Sequence, residues 1–291
     1  MVANHPYLFL DDRRILFVTG EDATHFLERL ITTDVEQIGQ GELFPGALLS
    51  PQGKVLFDFL IGRVAHGYLI DISNELAENF KKRLTLYKLR SKVEIAESLE
   101  QLISVSWGKD SPFSETDSTF ADKRFPDKEK VLRNYNKILP PAPHSNELKD
   151  QWNMLRLQHG IAESGKDFVP GDVFPHDINY DQIGAISYKK GCYIGQEIVS
   201  RMHHRGTARR RMLVATSDDM LPPAGSIEAD GKTIGTLGTV VAHKASAIVR
   251  IDRVKLALDQ HAAFSVCGRL LTLTIAPNMG YSFPENTTEG E

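Results

Sequence analysis

Apolar and polar positions alternate in short blocks through the first hundred residues. The period switches between two and about 3.6, so strands and helices are interleaved. Arg14–Val18 reads as a strand. Gly20-Glu21-Asp22 then opens a helix with Ala23, Phe26, Leu27, Leu30 and Ile31 on one face. Acidic residues in its first turn suit the helix dipole, and Thr32-Thr33-Asp34 ends it. Phe44–Leu49 and Val55–Ile61 read as strands joined by Ser50-Pro51-Gln52-Gly53. That tetrapeptide fits a type I turn, with Pro second and Gly fourth. Tyr68–Ile72 is a further strand, and Ser73 or Asn74 caps a helix carrying Leu76, Ala77, Phe80, Leu84 and Tyr87. Lys92–Ile95 and Leu102–Trp107 read as strands again. The pattern is α+β, of the ferredoxin-like, split βαβ kind.

Residues 108–146 break it. They are rich in Ser, Pro, Asp and Lys and read as a long connection, with room for one short strand. Glu147–His159 is a helix with Leu148, Trp152 and Leu155 along one stripe. Turns follow at Val169-Pro170-Gly171-Asp172 and Phe174-Pro175-His176-Asp177. Ile194, Ile198, Val199 and Met202 share one helical face, with Gly206 as its stop. Beyond Gly206 come short alternating runs at Arg210–Thr216, Ser226–Ala229, Thr233–Val241, Ala247–Ile251 and Leu270–Ile275. Asp230-Gly231 between two of them is a tight-hairpin signal. This part is all-β and predicts a small C-terminal β-barrel. The expected organisation is an α+β region over 1–206, a barrel over 207–280 and a disordered tail over 281–291.

Composition adds limits. The chain has 291 residues, 41% apolar and 25% charged, with a net charge of −4, as in an ordinary globular protein. Nothing global points to nucleic acid. Two cysteines, Cys192 and Cys267, show no CxxC and no pairing pattern, which suits a reducing compartment and argues against a disulfide framework or a thiolate zinc site. Two are also too few to hold an iron–sulfur cluster alone. No apolar run is long enough to span a membrane, and the N-terminus lacks a signal or transit pattern. His203-His204 has no third ligand at suitable spacing, so no metal site is expected. Trp107 and Trp152 read as core.

Two residues stand out chemically. Leu56, Asp58 and Leu60 share one face of their strand, and Val55, Phe57, Phe59 and Ile61 share the other. Both faces are apolar, so the strand is central and Asp58 is buried among apolar neighbours. A carboxylate there either caps nearby backbone groups or anchors the N–H groups of a ligand. Cys192 follows Lys189-Lys190-Gly191 and precedes the helical run. Cations and helix-start N–H groups favour a thiolate; a small buried cysteine in a tight turn is the other reading. Positive charge is concentrated at Lys189, Lys190, Arg201, Arg205, Arg209, Arg210 and Arg211. It is either a solvated face or a site for an anionic ligand.

Lys189-Lys190-Gly191-Cys192-Tyr193-Ile194-Gly195-Gln196-Glu197, followed by Arg201, His203-His204 and the Arg-rich tract, resembles the signature of the YgfZ-type folate-binding family. That family includes a mitochondrial iron–sulfur assembly factor and is related to the T-protein aminomethyltransferase of the glycine cleavage system. Gly53-Lys54-Val55-Leu56-Phe57-Asp58 is similar to the T-protein stretch whose two acids stand beside folate, with Phe57 in place of one acid. Met154–Ile161 resembles a stretch in which a T-protein glutamate holds the pterin; Gln158 stands near that place, and Glu163 is a second candidate. The resemblance runs from the first helix to the barrel. It implies an accessory protein for assembly or repair of iron–sulfur clusters, mainly 4Fe–4S, with tetrahydrofolate or a one-carbon derivative as cofactor. Cys192 would be the functional cysteine, with Asp58, Gln158, Glu163, Lys190, Tyr193, Gln196, Glu197 and Arg210 around the cofactor. Expected partners are iron–sulfur assembly proteins and client enzymes, not nucleic acid or membrane. The chain is expected to be a monomer of a bacterial cytoplasm or the mitochondrial matrix. The alternative is folate-dependent aminomethyl transfer, disfavoured by Phe57 and Gln158.

Overall fold

Every strand expected in the first hundred residues forms within three residues of its expected bounds. The computed structural model describes residues 7–98, 101–109, 113, 116, 118–136, 145–206 and 208–284. They divide into two compact units, Met1–Lys149 with Ile183–Ile198, and Asp150–Gln182 with Val199–Glu291.

In the first unit the elements are β1 (Tyr7–Phe9), β2 (Arg13–Thr19), α1 (Ala23–Glu28), β3 (Glu42–Leu49), β4 (Val55–Val64) and β5 (Gly67–Ser73). They continue with α2 (Asn74–Lys88), β6 (Glu94–Ser98), β7 (Leu102–Ser106), β8 (Thr119–Asp122) and β9 (Leu132–Asn136). The nine strands form one sheet in the order β1-β7-β9-β8-β3-β4-β5-β2-β6. β4 is central, paired antiparallel with β3 and β5. Phe57, Phe59 and Ile61 pack with Phe26, Leu27, Phe80 and Leu84 of the two helices. The Ser50–Gly53 turn closes as expected, the Gly53 N–H donating to the Ser50 carbonyl at 2.8 Å.

Three details differ from expectation. First, α1 ends at Glu28, so Leu30 and Ile31 pack from the loop beyond it. Its acidic residues lie ahead of the first turn: Asp22 accepts from the Lys92 N–H and Glu21 pairs with the Lys92 ammonium. Second, the 108–146 connection carries two strands, β8 and β9. Third, the polar residues that hid them are buried. Arg133 of β9 reaches Asp71 of β5 at 2.7 Å and Asp122 at 3.3 Å. Arg124 binds Asp122 at 2.7 Å, while Arg13 (2.5 Å) and the Tyr135 hydroxyl (2.8 Å) complete the shell of Asp71. β9 and β5 are four strand spacings apart in the sheet, about 19 Å if it were flat. Their direct ion pair means that the sheet curls back over its own face, and this network fills the fold.

α3 (Asn146–Gln158) and α4 (Gln196–Arg205) follow in the chain. In the second unit, β10 (Arg210–Thr216), β11 (Ser226–Ala229), β12 (Lys232–Val241), β13 (Lys244–Arg250), β14 (Phe264–Val266) and β15 (Arg269–Thr274) close a six-stranded barrel in the order β10-β13-β12-β11-β14-β15. The expected barrel is therefore present. Asp230 and Gly231 both take positive φ, +48° and +69°, as a two-residue hairpin of this hand requires. The strand expected to end at Ile251 stops at Arg250, because α5 (Ile251–Asp259) starts there and buries Val254 and Ala257 in the barrel core. Tyr281, expected in a disordered tail, packs over Arg211 and donates to the Met212 carbonyl; the tail beyond Pro284 lies outside the described residues.

Candidate functional site

Three clips hold the signature loop in the first unit. Thr32 is the first. Its N–H donates to Ala47 of β3, its hydroxyl to the Ala185 carbonyl at 2.6 Å, and its carbonyl accepts the Ser187 N–H. The Ser187 hydroxyl then accepts the N–H groups of Lys189 and Lys190. Lys190 is the second clip. Its ammonium donates to the carbonyls of Thr33 (2.6 Å) and Ile31 (3.1 Å) and pairs with Glu28 at 2.9 Å. The side chain is 2% exposed. Burial pulls the Lys190 pKa down, opposed by its bond to Glu28. An ammonium taken from water needs such a complete shell.

Glycine supplies the third clip. Gly195 has φ +79°, and a methyl group there would stand 2.6 Å from the Ser50 carbonyl oxygen. A methyl on Gly53, φ +80°, would stand 3.0 Å from Ile198. The β3–β4 turn and the signature loop thus meet backbone to backbone, which only glycine permits. Between the clips, Cys192 is exposed to solvent. It stands four residues ahead of the first residue of α4, and Ile194, expected on the helix, belongs to the approach and packs on the first unit's core. Gln196 accepts the Tyr193 N–H at 3.3 Å, and Glu197 is exposed.

Tyr193 faces inward. It is 6% exposed, its hydroxyl has no hydrogen-bond partner among the described residues, and the Lys190 ammonium lies 5.6 Å from its ring centre. Burial pushes its pKa up from the ordinary tyrosine value, so it is a neutral donor. Asp58, on the same unit's central strand, is buried at 4% exposure and sits opposite Ala47.

The remaining expected residues lie in the second unit. Gln158 ends α3 with its side chain in solvent. Glu163 is buried and engaged, 3.0 Å from Lys166 and 3.7 Å from Arg156. Arg156, inside the stretch that resembles the family, is a fully buried anchor bonded to Asp167 at 2.9 Å; no apolar periodicity marks such a residue. In the Arg tract, Arg211 is consumed by Asp181 (2.5 Å) and the His176 carbonyl (2.9 Å). Arg210 is half-buried, 3.8 Å from Asp177, and Arg209 is exposed.

A cleft of about 720 Å³ in the second unit is lined by His176, Asp181, His203, Arg209, Arg211 and Tyr281. His176 is 1% exposed, and burial lowers its pKa to about 4 against the pull of Asp181. The native imidazole is therefore neutral, while the unfolded one takes a proton near pH 6.5. Its contribution is fully present above that value, falls as pH drops from 6.5 to about 4, and is flat below. The loss amounts to about 3 kcal/mol. Urea unfolding between pH 7.5 and 4.5 should show this slope in the parent chain and a shallower one in His176→Gln.

Residues 209–281 match the family described as CAF17, C-terminal beta-barrel domain. A mitochondrial iron-sulfur cluster assembly factor IBA57 homolog of Chaetomium globosum is 28% identical over 258 residues, 77% of this chain and 58% of that protein. The homolog of Coccidioides immitis is 30% identical, over 70% of this chain and 55% of its own length. Mouse IBA57 is 27% identical over 84% of this chain and 78% of its length. The chain thus spans a little over half the length of the fungal relatives. The crystal structure of the glycine cleavage system aminomethyltransferase T from Bartonella henselae aligns with a TM-score of 0.68 at 13% identity, covering 96% of this chain and 87% of that one. The fold is that of the aminomethyltransferase T class. In sequence, the chain is similar to the IBA57 assembly factors along most of its length, and its barrel matches the CAF17 C-terminal domain.

Proposed function

We propose that this chain is an accessory factor in iron–sulfur cluster assembly or repair, that it binds tetrahydrofolate, and that Cys192 is its functional group. The observation that carries the reading is the construction of the loop. Three clips of backbone, glycine and a buried ammonium hold a short segment whose one soft donor is left in solvent. Free cysteine is ordinarily among the most buried residue types. The named role of the IBA57 relatives, assembly of iron–sulfur clusters, agrees with this. The cluster, or an iron of it, is cargo: Cys192 offers one thiolate, a partner supplies the other ligands, and the thiol proton passes to solvent as the S–Fe bond forms.

Folate fits the first unit on chemical grounds. Asp58 is a buried acceptor on an apolar strand, suited to pterin N–H groups. The Tyr193 hydroxyl is a buried donor with no partner among the described residues, a costly state unless something meets it. Folate would supply a one-carbon carrier; Asp58 and Tyr193 would bind and orient it. Clients are expected mainly among 4Fe–4S enzymes, in a reducing compartment. Aminomethyl transfer is less well supported, because the likeness to aminomethyltransferase T is one of fold at 13% identity and Phe57 stands where a second acid is needed.

A fluorescence titration with tetrahydrofolate tests the cofactor. The parent chain should bind, and Asp58→Asn and Tyr193→Phe should each weaken binding about ten-fold, the loss of one good polar contact. Tyr193→Phe should leave unfolding unchanged or raise its midpoint, since it removes an unsatisfied hydroxyl. Absence of binding by the parent chain would remove folate from the account.

A further inference from the structure

The end of α2 exposes what a folded surface normally hides. Leu86 and Leu89 are 71% and 88% exposed, the two most exposed large apolar side chains among the described residues. Leu89 also takes φ +44°, a conformation in which glycine is favoured. A leucine that is strained and solvent-exposed does nothing for the fold, and such outliers point to function. Around the two leucines, residues 81–92 hold Lys81, Lys82, Arg83, Lys88, Arg90 and Lys92 and no acid, in a chain of net charge −4. Lys82 and Lys92 are tied to Glu78 and Glu21. Lys81, Arg83, Lys88 and Arg90 have no acidic partner among the described residues.

We propose that this end of α2 and the turn after it are a docking surface for an acidic segment of a partner protein, seated on Leu86 and Leu89. Charge complementarity selects an acidic partner. Shape and margin favour a protein over an anionic bilayer. Leu89 stands beside a hollow that it lines with Asp22, Arg90 and Ser91, so the surface has both a knob and a hole. Its margin also carries Glu21, Asp22 and Glu78, which a uniformly anionic surface would oppose and a patterned partner can avoid. The surface lies outside the Cys192 loop, and only the activity readout of the test rests on the assembly role.

A benzophenone side chain installed at Leu86 of the full chain in cells provides the test. The expected result is a discrete protein adduct whose cross-linked peptide is rich in Asp and Glu, reduced about ten-fold by Lys81→Glu with Arg83→Glu. The pair Leu86→Ser and Leu89→Gly should abolish rescue of a 4Fe–4S enzyme while the melting point stays equal or rises, because Leu89→Gly relieves strain. Adducts to lipid or to a second copy of the chain, or a protein adduct indifferent to charge reversal, would overturn the proposal. So would full rescue by the leucine variant. If the parent chain itself fails to rescue, the assembly role falls, and the cross-link still decides the docking surface.

Discussion

Asp71→Asn is expected to destabilise the first unit by about 3–5 kcal/mol, among the largest effects available to a single substitution. The reason is what it leaves behind. Asp71 is fully buried and accepts from Arg13, Arg133 and Tyr135. Without its charge, the buried Arg13 and Arg133 guanidinium groups lose the carboxylate they share, although Asp122 still faces Arg133 at 3.3 Å. Adding Arg133→Met removes one stranded cation, so the double variant should be more stable than Asp71→Asn alone. Denaturant midpoints of the four proteins of that cycle check this. The same network sets the acid limb. Burial pushes the Asp71 and Asp122 carboxyls up, but the arginines beside them, Arg13 and Arg133 for Asp71 and Arg124 and Arg133 for Asp122, hold both below their ordinary value of 3.8. Their contribution is complete above about pH 4 and is lost as pH falls below it toward the native values.

Lys190→Ala should cost about 2–4 kcal/mol and release the signature loop. The ammonium donates to two carbonyls and pairs with the Glu28 carboxylate, and the substitution removes all three contacts, leaving Glu28 its bond from the Val35 N–H. Glu28 is partly in water, which places the cost below that of a fully buried pair. Lys190→Arg should not rescue, because a planar fork does not fit a socket made for a point charge. Limited trypsin digestion reads the loop directly: cleavage after Lys189 should become fast in Lys190→Ala while the barrel stays intact. Unchanged digestion would mean that the Thr32 and glycine clips suffice.

Much of this was legible in the sequence. Alternation gave β2 to β5, Asp58's burial followed from apolar residues on both faces of its strand, and the 206–275 runs predicted a barrel. What escaped notice has a common physical cause: polar atoms satisfied inside the protein leave no apolar signal. β8 and β9 carry Asp122 and Arg133 inward, so they resembled solvent-facing linker. Lys189 and Lys190 are indistinguishable in sequence, yet one is in water and the other is the pin of the loop. Likewise Arg156 is buried in its stretch and Gln158 is not. β14, with three residues, is too short for any period to show.

The central claim is that the loop exists to present Cys192. The most direct measurement compares the activity of a 4Fe–4S enzyme in cells lacking this protein after supplying either the parent chain or Cys192→Ala at equal protein level. The account predicts that the parent restores activity and the alanine variant does not, although Cys192 is exposed and its removal leaves the fold intact. Equal restoration by both would contradict the account and reduce the cysteine to a bystander.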